Sequence, residues 1–252
     1  MAPARRTLPF VLAGLFALWL VVPAAPVSPQ LKGPGTGSRG GVVFSVPMEA
    51  KFVAITFDDG PSPSLTPAVL GILRQHSARC TFFPIGREVQ KYPEVARQVV
   101  AEGHEIGCHT FSHVYFRSPA MARLESEFDI CEKLFPETLG VRPTLFRFPG
   151  LAYDTAMVQA AGKRGYSVIS CSLDAYDWRI KDAKQLAQRV TSLVRPGDIV
   201  LMHDGNWLNL PRAKEALGLI FDSLQQQGYI CITVSELISF GLAEQGRDQG
   251  PE

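Results

Sequence analysis

Two patterns of apolar positions alternate along most of this chain. Short runs of consecutive or alternating apolar residues favour β-strands, and between them apolar residues recur three and four positions apart, as on one face of an α-helix. The run at 199–202 is apolar throughout, which is typical of a strand buried on both faces of a parallel sheet. Strands are predicted at 52–57, 79–85, 104–108, 144–148, 166–173, 198–203 and 229–234, and helices at 67–76, 92–102, 120–135, 154–163, 183–194, 211–227 and 236–242.

Some helix boundaries are marked by residues that start or stop helices. Asp154 can accept a hydrogen bond from the first turn of the helix that follows it, and Pro136 is expected to end the helix at 120–135. Strands that alternate with helices, without an internal repeat, predict an α/β fold, either a (β/α) barrel or a doubly wound sheet. In both architectures the chemistry lies at the carboxyl ends of the strands.

Polar side chains stand where several of these predicted strands end, which places a candidate site at that edge of the sheet. Two adjacent aspartates at a strand end repel each other, and a metal ion would offset their charge. A loop cap before Gly60-Pro61 is the alternative interpretation of the aspartate pair. The strand-end residues are Asp58, Asp59, His109, Arg147, Asp174, Asp177 and His203.

Three of the polar residues predict a metal site. His109 and His113 are four positions apart, which would place both imidazoles on one face of a helix and within reach of one cation. With Asp59 they make a carboxylate and two histidines, leaving one coordination position for water. These donors suit Zn²⁺, with Co²⁺, Mn²⁺ and Ni²⁺ as alternatives. An exposed histidine pair is the simpler interpretation of the spacing alone, and the metalloprotease pattern H-E-x-x-H is absent.

Acid–base chemistry is predicted by the remaining strand-end residues. His203 follows the apolar run at 199–202, and Asp177 offers a carboxylate that would orient it and favour its protonated form. Arg147 is expected to hold Asp58 in its ionised form. Taken alone, His203 is also typical of a hydrogen-bonded core histidine, and Arg147 of a surface arginine.

The N-terminal segment is typical of an exported protein. Arg5 and Arg6 precede an apolar run at 10–22 and a Pro/Ala-rich stretch, as in a secretory signal peptide. A membrane anchor at 8–27 is the alternative, since about 20 apolar residues span a bilayer. We expect a signal or anchor at 1–28, a linker at 29–48, one catalytic domain at 49–243, a polar tail at 244–252, and an extracytoplasmic location.

Composition and cysteine spacing argue against several classes of function. The formal net charge of +1 gives no electrostatic basis for binding nucleic acid. The five cysteines form no C-x-x-C pair, which argues against a zinc ribbon or a redox motif. They are expected to be buried free thiols, with one disulfide as the alternative. A monomer is expected.

Five short motifs, in this order, resemble the polysaccharide deacetylases, the family-four carbohydrate esterases with a NodB-homology domain. The resemblance covers about 51–242 and implies a distorted (β/α) barrel of about seven parallel strands. It also implies removal of N-acetyl groups from an extracellular polysaccharide, such as peptidoglycan or a chitin-like polymer. The motifs are Thr56-Phe57-Asp58-Asp59-Gly60, His109-Thr110-Phe111-Ser112-His113, Arg147-Phe148-Pro149-Gly150, Asp174-Ala175-Tyr176-Asp177-Trp178 and Leu201-Met202-His203.

The same resemblance implies a role for each motif residue. The implied products are acetate and a free amino sugar, with one divalent metal, most simply Zn²⁺, as the cofactor. The implied catalytic residues are Asp58 as base, His203 as acid, and Arg147 and Asp177 as their partners; the metal ligands are Asp59, His109 and His113; and Pro149, Gly150, Asp174, Trp178 and Leu201 form the oxyanion and substrate-binding surface.

Three positions depart from what is common in that family. Gly150 stands where many members carry tyrosine, Cys171 where many carry tryptophan, and Cys108 where asparagine is common. These departures leave the implied catalytic roles in place, but the substrate preference is then not fixed by the resemblance. The alternatives are an O-acetyl esterase on xylan or a similar polymer, an amidase or deformylase on a small molecule, and a non-catalytic carbohydrate-binding protein.

Overall fold

β-Strands and α-helices alternate along the residues that the computed structural model describes, which are 38, 39, 41–115, 121–206 and 208–248. A short 3₁₀ turn at Pro149–Leu151 adds to them. The strands are β1 Ser38–Arg39, β2 Val42–Val43, β3 Phe52–Asp58, β4 Thr81–Phe83, β5 Glu105–Ile106, β6 Leu145–Phe146, β7 Ser167–Ile169, β8 Leu173–Asp174, β9 Ile199–His203 and β10 Ile230–Cys231. The helices are α1 Leu65–Gln75, α2 Gly86–Lys91, α3 Pro93–Ala101, α4 Met121–Leu139, α5 Thr155–Lys163, α6 Ala183–Leu193, α7 Leu210–Gln226 and α8 Val234–Asp248.

The strands form two sheets that combine into one α/β domain with the character of a distorted barrel. One sheet has the order β5-β4-β3-β9-β8, with β10 beside β3, and the other has the order β1-β2-β7-β6. A parallel bridge between Cys108 and Phe146 joins the segment after β5 to β6 of the second sheet. Every named strand pair among the described residues is parallel except β1 with β2. The predicted α/β fold with parallel strands is therefore confirmed.

Side chains of β3 alternate between two layers of the fold. Val53, Ile55 and Phe57 belong to the larger hydrophobic cluster, which includes the buried faces of α1 and α4. Ala54 belongs to a second cluster formed by residues of both sheets. Because successive side chains of a strand point to opposite faces, Asp58 points to the same side as Ala54, toward the barrel interior. This alternation brings a carboxylate to the carboxyl end of a central strand.

One predicted strand is two strands in the structure. The segment 166–173 is divided into β7, which pairs with β6, and β8, which pairs with β9. Between them the N–H of Ser170 donates to the carbonyl of Val43 at 2.8 Å, and that of Ser172 to the carbonyl of Ile199 at 3.0 Å. The chain changes sheet here because its backbone partners change, and a continuous run of β-favouring residues gives no sign of that.

Helix boundaries agree with the sequence in one place and differ in another. Asp154 caps α5 as predicted, since its Oδ1 accepts the N–H of Met157 at 2.9 Å. The prediction that Pro136 ends α4 is wrong, because the helix continues to Leu139. Phe135 and Leu139 are buried, so the packing of the last turn offsets the loss of one helical N–H. The short helix α2 was not predicted.

Secondary structure extends beyond both ends of the expected catalytic domain at 49–243. Part of the expected linker belongs to the fold, because Val42 and Val43 are buried and pair with β7. α8 continues to Asp248, past the position where the polar tail was expected to begin. The expected signal or anchor at 1–28 lies outside the described residues. Within those residues no helix has the length and apolar character needed to cross a bilayer.

The cysteines fit the prediction of free thiols. All five are unpaired in the structure. Four of them are buried: Cys80, Cys108, Cys131 and Cys231.

Candidate active site

Asp58 and Asp59 are adjacent in sequence but face different partners. Asp58 ends β3, and its Oδ1 accepts a hydrogen bond from Nη1 of Arg147 at 2.8 Å. Asp59 has a φ of +74°, a left-handed conformation that turns the chain away from the strand direction. Its Oδ1 lies 3.0 Å from Nε2 of His113 and 3.5 Å from Nε2 of His109. The turn at Asp59 thus directs its carboxylate to both histidines, whereas Asp58 binds the arginine and, of these two histidines, approaches only His109, at 3.7 Å.

Three potential metal ligands converge at this point. The ligand atoms of Asp59, His109 and His113 all lie within 4.8 Å of one another. Nδ1 of His109 lies 2.7 Å from the carbonyl oxygen of Arg147, so Nδ1 carries the proton and Nε2 offers its lone pair to the cluster. One carboxylate and two imidazole nitrogens are a donor set that fits a divalent cation such as Zn²⁺.

Burial and nearby charges favour the protonation states in which His109 and Asp59 can bind a cation. Burial lowers the pKa of His109, although the charges of Asp58 and Asp59 act in the opposite direction. Burial by itself would raise the pKa of Asp59, but the hydrogen bond from His113 and the surrounding histidines hold that pKa well below its ordinary value. A neutral imidazole and an ionised carboxylate are the forms that bind a cation.

The segment from His109 to His113 is a loop, and the prediction that the two histidines share a helical face is wrong. Thr110 and His113 have left-handed φ values of +63° and +58°. Thr110 Oγ1 accepts the N–H of His113 at 3.0 Å, which closes the turn locally. The two imidazole rings still meet, with centroids 5.1 Å apart. The loop conformation therefore brings the two imidazoles together, which the helical spacing was expected to do.

A buried carboxylate on α4 holds this loop, and sequence reasoning missed it. Oε2 of Glu127 accepts the backbone N–H groups of Phe111 at 2.8 Å and Ser112 at 2.7 Å. A signal was present in the sequence, because position 127 lies three residues after Leu124 and four before Cys131, on the face predicted to be buried. A carboxylate at such a position needs hydrogen-bond donors, and the loop supplies them.

Arg147 is fully buried behind Asp58, which excludes the surface-arginine interpretation. Its Nη1 donates to Asp58 at 2.8 Å and to Thr56 Oγ1 at 2.7 Å. Nη2 donates to the carbonyl of Ser170 at 2.9 Å, and Nε to that of Ile169 at 3.3 Å. The segment where the chain passes from β7 to β8 thus supplies two carbonyls that accept hydrogen bonds from the guanidinium. Asp58 thus has a fixed counter-charge whose guanidinium donates four hydrogen bonds.

His203 is held by two contacts to one carboxylate. Its Nδ1 lies 2.7 Å from Oδ1 of Asp177, and its backbone N–H donates to Oδ2 at 2.8 Å. Burial alone lowers the pKa of His203. The hydrogen bond and charge of Asp177, together with Asp58 and Asp59, outweigh burial and raise that pKa to about 9. His203 is therefore an imidazolium at neutral pH, in the protonation state of a general acid.

Arg212, at the start of α7, supports the loop that carries Asp177. Its Nη2 donates to the carbonyl of Asp177 at 2.9 Å, and Nη1 donates to the carbonyl of Ile180. Asn209 caps the helix by accepting the N–H of Arg212 at 3.0 Å. No local pattern linked these residues, since 35 positions separate Arg212 from Asp177.

Asp204 is a second buried carboxyl that the sequence analysis did not select. Its Oδ2 accepts a hydrogen bond from Thr66 Oγ1 at 2.5 Å. Burial raises the pKa of Asp204 to about 7, and the charges of Asp59 and Asp58 add to the effect of burial. A Cβ built on Gly60 would lie 2.3 Å from Oδ2 of Asp204, so only glycine fits at this turn.

A cavity of about 630 Å³ connects these groups. It brings together most of the residues that the sequence analysis selected. Pro149, Arg147 and Asp177 are buried beside or behind it and are not among its lining residues. The predicted residues that line it are Asp58, Asp59, His109, His113, Gly150, Asp174, Trp178, Leu201 and His203, and the lining residues that were not predicted are Ile85, Arg87, Glu88, Tyr115, Leu151 and Asn206.

Comparisons with known proteins find polysaccharide deacetylases. The family model of polysaccharide deacetylases matches residues 45–169. A peptidoglycan-N-acetylglucosamine deacetylase of Bacillus cereus is 40% identical over 203 residues, which cover 80% of this chain and 94% of that protein. A chitooligosaccharide deacetylase of Azorhizobium caulinodans is 41% identical over 156 residues, covering 61% of this chain and 73% of the relative.

A solved structure shows the same fold. The crystal structure of the Bc1960 peptidoglycan N-acetylglucosamine deacetylase superimposes with a TM-score of 0.76 at 27% identity. The match covers 79% of this chain and 93% of that one. The barrel is therefore shared over nearly the whole length of the solved protein.

Proposed function

The chain belongs to the polysaccharide deacetylase family, and from that premise we propose that it removes N-acetyl groups from an extracytoplasmic N-acetylglucosamine polymer with the help of one divalent metal. As a member of this family it is a hydrolase of carbon–nitrogen bonds. Relatives named for peptidoglycan and for chitooligosaccharides support an acetylated glycan as the substrate. A cell-wall substrate would place the reaction outside the cytoplasm.

The observation that carries the proposal is the position of a base and an acid beside one candidate metal site. Oδ2 of Asp58 lies 3.7 Å from Nε2 of the candidate ligand His109. His203 lines the same cavity and is protonated at neutral pH. A binding protein would need neither group, so their juxtaposition favours hydrolysis over simple glycan recognition.

In the proposed reaction Asp58 and His203 move protons in opposite directions. Asp58 accepts a proton from the attacking water, while Arg147 balances the charge of its carboxylate. The backbone N–H of Gly150 donates a hydrogen bond to the oxygen on which negative charge develops. His203 then donates its Nε2 proton to the departing nitrogen, and Asp177 holds Nδ1. Water and the acetamide are converted to acetate and a free amine.

Asp59, His109 and His113 would hold the divalent metal. When bound, such a cation supplies Lewis acidity that makes water a stronger acid and the acetyl carbonyl a better electrophile. The hydrogen bond from His109 Nδ1 to the carbonyl of Arg147 orients one ligand, and Glu127 orients the loop that carries both histidines. Zn²⁺ is the proposed occupant because the donors are nitrogen and oxygen in a three-ligand set.

Acetate release across a panel of substrates tests this proposal. Purified protein is incubated with N-acetylglucosamine oligomers, peptidoglycan, acetylated xylan and a small acetamide, before and after removal of metal by a chelator. We expect acetate from the oligomers or peptidoglycan, loss of release after chelation, and recovery with Zn²⁺ or Co²⁺. Release from xylan alone, or equal activity in the chelated protein, would overturn the assignment.

Two matched variants test whether Asp58 acts as the base or whether loss of any carboxylate lowers the rate. Asp58→Asn removes the proposed base and is expected to lower kcat by roughly 100-fold or more while the protein still binds metal. Asp222→Asn removes an exposed carboxylate of α7 and is expected to leave kcat unchanged. Full activity in Asp58→Asn would show that another group accepts the proton.

A further inference from the structure

Tyr115 occupies the space that any side chain at position 150 would need. A Cβ built on Gly150 would lie 2.4 Å from Cε1 and 3.0 Å from Cδ1 of the Tyr115 ring. Carbon atoms do not approach that closely, so the ring must move if residue 150 carries a side chain. Gly150 also has a φ of +61°, which disfavours other residues independently of the ring. Tyr115 and Gly150 are therefore complementary in shape.

The Tyr115 ring also contacts a candidate metal ligand. Its centroid lies 5.2 Å from that of His113, with an angle of 88° between the ring planes. This is an edge-to-face contact of the kind that aromatic pairs prefer. The ring therefore lies between His113 and the backbone of Gly150.

Most of the Tyr115 ring is nevertheless open to the cavity and solvent. The residue is 57% exposed and lines the cavity together with Gly150 and Leu151. Trp178, which is 48% exposed, lines the same cavity. A half-exposed aromatic ring contributes little to the hydrophobic core, so burial does not explain its position. An aromatic surface beside a candidate catalytic centre is suited to the C–H face of a sugar ring.

We infer that Tyr115 is a specificity-determining residue that packs against the pyranose ring carrying the scissile acetamide. The inference deepens the proposed function and rests on it, since it assumes that the glycan enters this cavity. Gly150 is the complementary element, because its missing side chain leaves room for the ring. Tyr115 thereby places an aromatic ring beside the backbone of Gly150 from a different segment of the chain.

The test compares Tyr115→Ala and Tyr115→Phe with the wild-type protein. An N-acetylglucosamine tetramer is the probe, its Kd is measured by calorimetry, and kcat and KM are measured by acetate release. We expect Tyr115→Ala to raise both Kd and KM roughly three- to tenfold, the range of one aromatic contact, with kcat changed less than about twofold. Tyr115→Phe keeps the ring and is expected to retain wild-type values.

Controls exclude an indirect effect through the metal or the fold. Phe240→Ala removes an exposed aromatic ring of α8 that does not line the cavity, and it is expected to leave Kd and KM unchanged. Metal content of Tyr115→Ala is expected to equal that of the wild type. A Tyr115→Ala protein with wild-type Kd and KM, or one that loses metal, would overturn the inference.

A double-mutant cycle tests the complementarity itself. Gly150→Ala introduces a methyl group toward the ring in the wild-type background, whereas in the Tyr115→Ala background the ring is absent. The backbone strain at φ +61° is the same in both backgrounds, so it cancels in the cycle. We expect Gly150→Ala to raise the tetramer Kd at least threefold more in the wild-type background. Equal effects would show that the ring and the glycine are independent.

Failure of the inference is distinguishable from failure of the proposed function. If the wild type releases no acetate but binds the tetramer, the proposed activity fails and the Kd comparison still decides the role of Tyr115. If the wild type binds no tetramer, the inference is wrong as well. If the wild type is active and Tyr115→Ala matches it, only the inference is wrong.

Discussion

Glu127 and Ser112 are joined by two hydrogen bonds. Oε2 of Glu127 accepts the backbone N–H of Ser112 at 2.7 Å, and Oε1 accepts its hydroxyl at 2.5 Å. Glu127 belongs to α4, whereas Ser112 lies in the loop between the candidate ligands His109 and His113. The conformation of the candidate metal site therefore depends on a helix residue that does not itself contact the ligand atoms.

We expect Glu127→Gln to weaken metal binding by roughly 10- to 100-fold, because supporting groups of this kind change affinity by that amount. An amide is uncharged, so the hydrogen bonds that Phe111 and Ser112 donate from their backbone N–H groups lose the charge of their acceptor and become weaker. Competition with a chromophoric chelator measures the affinity. Glu137→Gln, an exposed position on the same helix, is the control, and equal affinities in the two variants would contradict the prediction.

Arg147→Met is expected to destabilise the fold by about 3–5 kcal/mol, since it leaves the buried carboxylate of Asp58 without its counter-charge. Urea denaturation measures the change. The double variant Asp58→Asn/Arg147→Met removes both charges and is expected to be more stable than Arg147→Met alone. If the destabilising effects of the two substitutions simply add, the ion pair is not what stabilises this part of the barrel.

Asp177→Asn is expected to move the alkaline limb of the pH–rate profile to lower pH. In the proposed reaction His203 acts as an acid and must be protonated, and its pKa of about 9 depends on Asp177. Removing that charge lowers the pKa toward the ordinary value of 6.5, so activity falls at a lower pH. The profile of kcat/KM against pH checks this, and an unchanged alkaline limb would show that another group sets it.

The same pair makes stability depend on pH. The pKa of His203 is raised in the folded state, so its stabilising contribution is complete below about 6.5 and is lost as the pH rises through about 9. We expect the free energy of unfolding to fall between these values in the wild type and to fall less in Asp177→Asn. Urea titrations at about pH 6 and about pH 10 measure the difference. A larger pH dependence in Asp177→Asn would refute the assignment.

Arg212→Gln is expected to lower kcat by roughly tenfold while KM changes little, because small displacements of a catalytic group reduce the rate strongly. The guanidinium holds the carbonyls of Asp177 and Ile180, and without it the carboxylate that orients His203 is less fixed. The alkaline limb of the pH profile should also shift downward. Arg179→Gln, an exposed arginine of the same loop, is the control, and equal kcat values in the two variants would disprove a positioning role.

Local sequence patterns determined the order of the elements and the chemistry at their ends. The run 52–57 was correctly identified as a strand, because the consecutive apolar residues at 52–55 indicate burial on both faces. The cap at Asp154 was correct because it depends on residues within one turn. Asp59, His109 and His113 were selected from residue type, and the structure brings their ligand atoms within 4.8 Å of one another.

The tertiary structure alone decided how those groups are held and what surrounds them. The loop from His109 to His113 takes its shape from Glu127, and the division of 166–173 into two strands supplies the carbonyls that bind Arg147. The approach of Tyr115 to Gly150 likewise joins two distant segments. Periodicity and capping are local properties that a sequence displays directly. Contacts between distant segments depend on how the whole chain packs, and no short pattern records them.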